Sequence, residues 1–165
     1  MNNTLLEFKE IIDEEIQAYE SLGDLYEMKQ SILIQGKSDA LWDIDAQIVK
    51  RAENIKELNK KRKEVAKYLG NENFTISEVI EKAKSANDSI VDKLESQKAK
   101  LKILANSLTL QESTNMTLVK HGLTMVGKTF DIIVGALLPH AKQYNNLGQN
   151  VNCDKSLVSS IVEEA

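Results

Sequence analysis

Through residues 1–70 the apolar positions fall alternately three and four apart. They run Leu5, Phe8, Ile12, Tyr19, Leu22, Tyr26 and Leu33, then Leu41, Ile44, Ile48, Ile55, Leu58, Val65 and Leu69. The mean step is about 3.5 residues, the period of helices that wind around one another. Gly36 follows QSILIQ and Gly70 follows VAKYL, where a glycine in the left-handed conformation closes a helix. The pattern predicts helices over about 3–35 and 38–69. A link as short as Gly36-Lys37 forces the two to run antiparallel. Arg51 and Arg62 interrupt the second stripe; their stems can cover apolar neighbours while the guanidinium reaches water or a carboxylate.

The pattern breaks over residues 71–85. Thr75 and Glu78 precede Val79 and Ile80 in the spacing of a capping box, which predicts a short helix over 75–84. Asn87 and Asp88 are both suitable N-caps for a third long helix, which meets no stop before Pro139 and is expected over 87–138. At 1.5 Å per residue it reaches roughly 80 Å, against roughly 50 Å for each earlier helix, so about 30 Å of it is expected to have no partner in the hairpin. The expected architecture is all-α: an antiparallel helical hairpin plus a long third helix, together an elongated coiled-coil-like bundle. Residues 139–165, which open PHAKQYNNLGQN, are expected to form a mobile tail.

The third helix changes character along its length. One apolar row, Ile90, Leu94, Leu101, Leu104, Leu108, Leu118, Met125, Ile132 and Ala136, runs throughout. A second row lies one residue on, about 100° around the helix. It begins charged or polar, with Glu95, Lys98, Lys102 and Glu112, and then becomes apolar at Met116, Val119, Leu123, Val126, Phe130, Ile133 and Leu137. Charge falls with it: residues 1–112 hold 38 charged side chains, and residues 113–153 hold only Lys120, Lys128, Asp131 and Lys142. One face suffices to dock a helix on a hairpin, so the late half carries a surplus. Seven large apolar side chains represent on the order of 10–20 kcal/mol of burial, more than a monomer normally leaves in water. The residues alone leave three covers open: the chain's own tail, a second copy, or a partner's helix. Gln111 and Asn115 lie on the long row between Leu108 and Leu118. Polar layers of this kind set register or oligomer state, or satisfy polar groups of a partner.

Composition narrows the function. Seven Gly, one Pro and 5% aromatics in 165 residues disfavour a loop-rich β-sandwich. A net charge of −4 argues against nucleic acid as a partner. The run Lys60, Lys61, Arg62 and Lys63 sits beside Glu57 and Glu64 near a helix C-terminus, where the macrodipole favours cations. The single Cys153 cannot form an internal disulfide, the start carries acids rather than a signal pattern, and the apolar run 132–138 is too short for a bilayer; a cytoplasmic protein is expected.

Residues 122–129, GLTMVGKT, match the phosphate-loop pattern literally. That chemistry requires a strand, a loop and a helix N-terminus whose free amides face the phosphates. Here the match falls inside a helical pattern, where the amides are spent on carbonyls four residues back, so no nucleotide is expected. His121 and His140 have no glutamate three residues before them and Cys153 stands alone, so no metal or other cofactor is expected. Glu14/Glu15 and Asp43/Asp45 fall on expected charged faces, where carboxylate pairs are solvated. No nucleophile elbow is present, and no enzyme is expected.

Taken together the features resemble the FlgN-type flagellar export chaperones. The likeness is carried by LLEFKEIIDEEIQAYESL before the Gly36 break, the heptad helix ending KRKEVAKYLG, the row asparagine Asn115, the apolar late helix, and Tyr144-Asn-Asn-Leu-Gly148-Gln149, similar to the family's tyrosine-then-glycine tail motif. It covers about residues 1–150; Gly122, Gly127 and Gly135 in the late helix and the extra segment 151–165 depart from it. The resemblance implies a non-enzymatic type III export chaperone whose clients are hook–filament junction proteins. It binds their C-terminal amphipathic helix, prevents premature assembly and delivers them to the flagellar export gate, touching membrane machinery only peripherally. Client binding is then expected at Met116, Val119, Leu123, Val126, Phe130, Ile133 and Leu137, and export-gate contact at Tyr144. The chain is expected to be a monomer or weak homodimer. The competing reading is a self-associating coiled-coil adaptor or structural protein.

Overall fold

The computed structural model describes residues 2–70, 75–85, 89–137, 143–144 and 150–151. It contains α1 (Asn2–Gln35), a 3-10 turn (Ser38–Ala40), α2 (Leu41–Leu69), α3 (Ile76–Ser85), α4 (Val91–Leu137) and the two-residue strands β1 (Gln143–Tyr144) and β2 (Asn150–Val151). The all-α class is as the periodicity predicts. The strands are an antiparallel pair, with Gln143 opposite Val151 and Tyr144 opposite Asn150. The expected helix starts at Asn87 or Asp88 and the expected mobile tail lie outside the described residues, apart from those two strands. By compactness the chain divides into two units, Met1–His121 and Gly122–Ala165.

In the first unit the helix ends follow local chemistry. Gly36 takes φ 67°, its N–H donates to Leu33 O at 3.2 Å and the Lys37 N–H donates to Ile32 O at 3.2 Å. This pair of bonds satisfies two terminal carbonyls, and a side chain would strain that backbone. The turn then tightens: Ser38–Ala40 is 3-10 rather than α, so α2 starts at Leu41 and not at residue 38. Gly70 closes α2 at φ 151°, a positive value well away from the left-handed helical one expected. At the start of α3 the capping box is reciprocal. The Thr75 N–H donates to Glu78 Oε2 at 2.7 Å, and the Glu78 N–H donates to Thr75 Oγ1 at 3.3 Å. Those bonds hold the Glu78 carboxyl below the usual glutamate range.

Helix directions follow from the paired residues. Glu15 meets Arg62 and Lys29 meets Asp45, so numbering rises on α1 as it falls on α2. Gln97 donates to Lys9 O at 3.2 Å and Asn115 donates to Tyr26 O at 3.0 Å, so α4 runs parallel to α1. One core gathers Leu5, Phe8, Ile12 and Ile16 of α1, Val65, Ala66 and Leu69 of α2, Val79, Ile80 and Ala83 of α3, and Ile90 and Leu94. A second joins Ala18 and Leu22 to Ile55, Leu58 and Leu108. Each large side chain buried in these cores contributes about 1.5–3 kcal/mol.

Glu15 corrects the sequence expectation. It is not solvated: only 2% of its side chain is exposed, and Arg62 Nε donates to its Oε1 at 2.9 Å. Arg62 also donates through a terminal guanidinium nitrogen to Asn59 Oδ1 at 2.6 Å. Glu15 lies three residues after Ile12 and four before Tyr19, on the buried stripe itself, and the interrupting Arg62 is its counterpart on α2. Burial pushes the Glu15 carboxyl above the ordinary glutamate range, against the pull of Arg62. A carboxyl with a raised folded pKa stabilises the fold most below its unfolded value, and that contribution is lost as pH rises through the folded value. The unfolding free energy of the wild type relative to Glu15→Gln is therefore expected to fall from about pH 4, near the unfolded value, to neutrality. Urea melts across that window check it, and a flat difference would contradict it. Arg62→Met alone leaves the buried carboxylate without its cation and is expected to cost about 3 kcal/mol. Adding Glu15→Leu should recover most of that loss in the same melts.

Candidate functional site

The row of α4 that faces the hairpin is built in two registers of chemistry. Ile90, just before α4, is buried, as are Leu94, Gln97, Leu108 and Asn115 on it, and Leu101, Leu104 and Gln111 are half-buried. The amides on this row do the orienting. Gln97 reaches Lys9 O and the Asp13 carboxylate, Gln111 Nε2 donates to Glu27 Oε1 at 3.2 Å, and Asn115 reaches Tyr26 O. Each leaves its amide oxygen buried without a hydrogen-bond partner, an energetic penalty that a hydrophobic seam would avoid. Beside them, burial pushes the Tyr26 hydroxyl above its ordinary range, with the Glu112 carboxylate adding to the shift.

Past this stretch the same row opens. Leu118 is half-buried, whereas Met125 and Ile132 are exposed. Helix lengths left roughly 30 Å of the third helix without a partner in the hairpin, and burial of the row coincides with the stretch that Gln97 and Asn115 tie to α1. Periodicity reports which residues share a helix face, and not how far a partner runs along it.

The second row is where the surplus lies. Met116, Leu123, Val126, Phe130 and Ile133 are exposed, Phe130 at 48%, and Val119 is half-buried. Leu137 is the last residue of α4, and its side chain lies outside the described residues. Tyr144 stands in β1, and its side chain is likewise outside them. A single helix face therefore brings together Met116, Val119, Leu123, Val126, Phe130 and Ile133, and the exposed Met125 and Ile132 widen it by a second row. Over this stretch only Lys120, Lys128 and Asp131 carry charge. Such a broad, weakly charged apolar face is suited to laying against another amphipathic helix.

The phosphate-loop look-alike at 122–129 lies wholly inside α4, where backbone amides serve the helix and the Thr129 hydroxyl donates to Met125 O at 2.9 Å. A side chain at Gly122, Gly127 or Gly135 would meet nothing within 4 Å, so no close approach requires glycine there, and each weakens the helix relative to alanine. Among the described residues no group of three or more His, Cys, Asp and Glu is placed to hold a metal ion. His140 and Cys153 lie outside them. No helix among the described residues is long and apolar enough to cross a membrane.

Two further exposed apolar residues, Ile34 and Trp42, flank the hairpin turn and have no counterpart among the expected site residues. Trp42 is 83% exposed. Its position one residue off the stripe Leu41, Ile44 and Ile48 is the signal that marks it.

Asn115→Leu removes a buried amide whose oxygen has no partner. It is expected to raise stability by about 1 kcal/mol while loosening the choice of partner and register. Urea melts read the first effect and sedimentation velocity the second; a destabilised variant would show that the bond to Tyr26 O outweighs the orphaned oxygen.

Against known proteins, the model of the FlgN family, described as FlgN protein, matches residues 1–152. No curated protein and no solved structure compared with the chain matches it. The chain belongs to the FlgN family, a family of flagellar export chaperones rather than of enzymes.

Proposed function

We propose that this FlgN-family chain holds the C-terminal amphipathic helix of hook–filament junction proteins on the late face of α4, keeps those clients from assembling early, and delivers them to the type III flagellar export gate. The observation that carries the reading is the exposed row Leu123, Val126, Phe130 and Ile133 on α4, within a chain of that family. An unassembled filament subunit exposes an apolar stripe meant for its neighbours, which is an aggregation hazard. A helix-in-groove contact hides that stripe by burying i, i+3, i+4 and i+7 anchors, and the row supplies the matching spacing. Met116 and Val119 extend the wall towards Asn115, and Leu137 extends it to the end of α4.

The chemistry asked of the chain is binding and release, with no bond made or broken. Phe130 is the anchor, since an aromatic side chain at the centre of an apolar patch commonly dominates such a contact. Tyr144, in the tail motif, is the residue assigned to the export gate. The working site of the chain is cytoplasmic, and it meets the membrane machinery only through that gate.

Phe130→Asp tests the assignment. Capture of a junction protein is expected to weaken by at least about thirty-fold, the equivalent of about 2 kcal/mol at an interface anchor, while circular dichroism stays near wild type because Phe130 belongs to neither core. Calorimetry with the client's C-terminal helix provides the measurement. Wild-type affinity in the variant removes Phe130 from the wall. A stable homodimer that ignores junction protein would favour the adaptor role instead.

A further inference from the structure

α2 has a second face that the hairpin does not use. Trp42, Val49, Lys56 and Lys63 stand seven residues apart, so they share one line along the helix with a drift of about 20° per heptad. Lys60 lies beside the last two. All five are exposed, whereas Ile55, Leu58 and Val65 of the same helix are buried in the two cores. The line spans roughly 30 Å, apolar at its start and basic at its end.

Two observations set this face apart from ordinary solvated surface. Trp42, the largest side chain of α2, is left almost wholly in water, and tryptophan is the residue type most enriched among interface anchors. The second observation is the state of the lysines. Lys9, Lys29, Lys84 and Lys100 each reach a carboxylate. Among the described residues Lys56, Lys60 and Lys63 make no ion pair or hydrogen bond, although Glu53, Glu57 and Glu64 lie three or four positions from Lys56 or Lys60. The macrodipole of α2 does not account for them, since its effect fades within the last turn and Lys56 lies more than three turns before Leu69. Glu53, Lys56, Glu57, Asn59, Lys60 and Lys63 line a shallow trough.

We infer that this face of α2 docks an antiparallel helix of another protein. That helix carries carboxylates in its N-terminal half, over Lys56, Lys60 and Lys63, and aliphatic side chains in its C-terminal half, over Val49 and Trp42. The seven-residue spacing is the one a second helix can follow. Antiparallel packing puts the partner's N-terminus beside the C-terminal end of α2, where the two macrodipoles attract and acidic first turns are favoured. Glu53, Glu57 and Glu64 flank the lysines on one side, so a lysine or arginine on the partner's matching edge completes the fit. Lipid headgroups or nucleic-acid phosphates laid along the same face would meet those glutamates, and Asp43 beside Trp42. The same face of a second copy would set lysine on lysine when parallel, and lysine on Val49 and Trp42 when antiparallel. No residue of this face belongs to α4, so the inference stands apart from the client reading.

Trp42 is the only tryptophan, so its emission reports occupancy in the full chain. The probe is a synthetic helical peptide of four heptads, with glutamates on its facing positions in the first two and leucines in the last two. A saturable blue shift of Trp42 emission is expected, weakening as salt is raised. Lys56→Glu with Lys63→Glu should weaken binding at least tenfold without changing the circular dichroism, since both side chains are exposed. A matched peptide with lysines in place of the glutamates should restore binding to that variant. Absence of a shift with the acidic peptide overturns the inference. So does an equal shift with the two halves of the peptide exchanged, with the lysine peptide on the wild type, or with anionic phosphatidylglycerol vesicles. A blue shift produced by concentrating the chain alone, and lost in the double variant, overturns it in favour of a second copy.

Discussion

A helix buries only the part of its length that another helix runs beside, and α4 is longer than any stretch tied to α1. Its hairpin-facing row is buried through Asn115 and exposed at Met125 and Ile132. The parallel register set by Gln97 on Lys9 and Asn115 on Tyr26 decides which apolar residues become core. The same register decides which remain as surface. The amides that set it are poor stabilisers, each with an unpartnered buried oxygen, and their presence on an otherwise apolar row fits selection for alignment over raw stability. Slipping α4 by a heptad would keep the same face towards the hairpin but set a different run of that row, with different amides, against α1.

Two chemistries divide that one helix. Its first half is charged on the outside and apolar on one row, like α1 and α2. Its second half loses nearly all charge, gains a second apolar row and accepts glycines that a purely structural helix would avoid. Threonines mark the transition: Thr109, Thr114 and Thr117 donate their hydroxyls to the carbonyls four residues back, each at 2.9 Å, bonds that soften and bend helices. The stretch between core and exposed face carries three such bonds in succession, and Thr129 repeats the bond in the late half.

Much of the fold was legible because its signals are local. Gly36 ends α1, Thr75 and Glu78 start α3, and the three-and-four spacing names the apolar faces, since each depends on a few adjacent residues. The sequence signals for Glu15 and Arg62 were both visible, one as a carboxylate and one as a break in a stripe, but joining them requires knowing that position 15 lies opposite position 62. That part of α4 would outrun the hairpin followed from helix lengths alone, but the residue at which burial stops depends on long-range alignment. Of the candidate face, the row itself was legible from the loss of charge after residue 112. Trp42, one residue off the stripe of α2, is visible as an outlier, but a single off-stripe aromatic forms no continuous apolar row that would mark a site.

The parallel pairing of α1 with α4 also orders events in time. Glu15 and Arg62 are 47 positions apart and Lys29 and Asp45 closer still, whereas the bonds from Gln97 and Asn115 to α1 close spans of 88 and 89 residues. Closing a longer loop carries a larger entropy loss and waits on more of the polypeptide. On a ribosome the hairpin can zip while α4 is still unmade, leaving a ready template on which the last helix condenses from its N-terminal end. The half that docks emerges first, and the greasy half is born onto an already folded body.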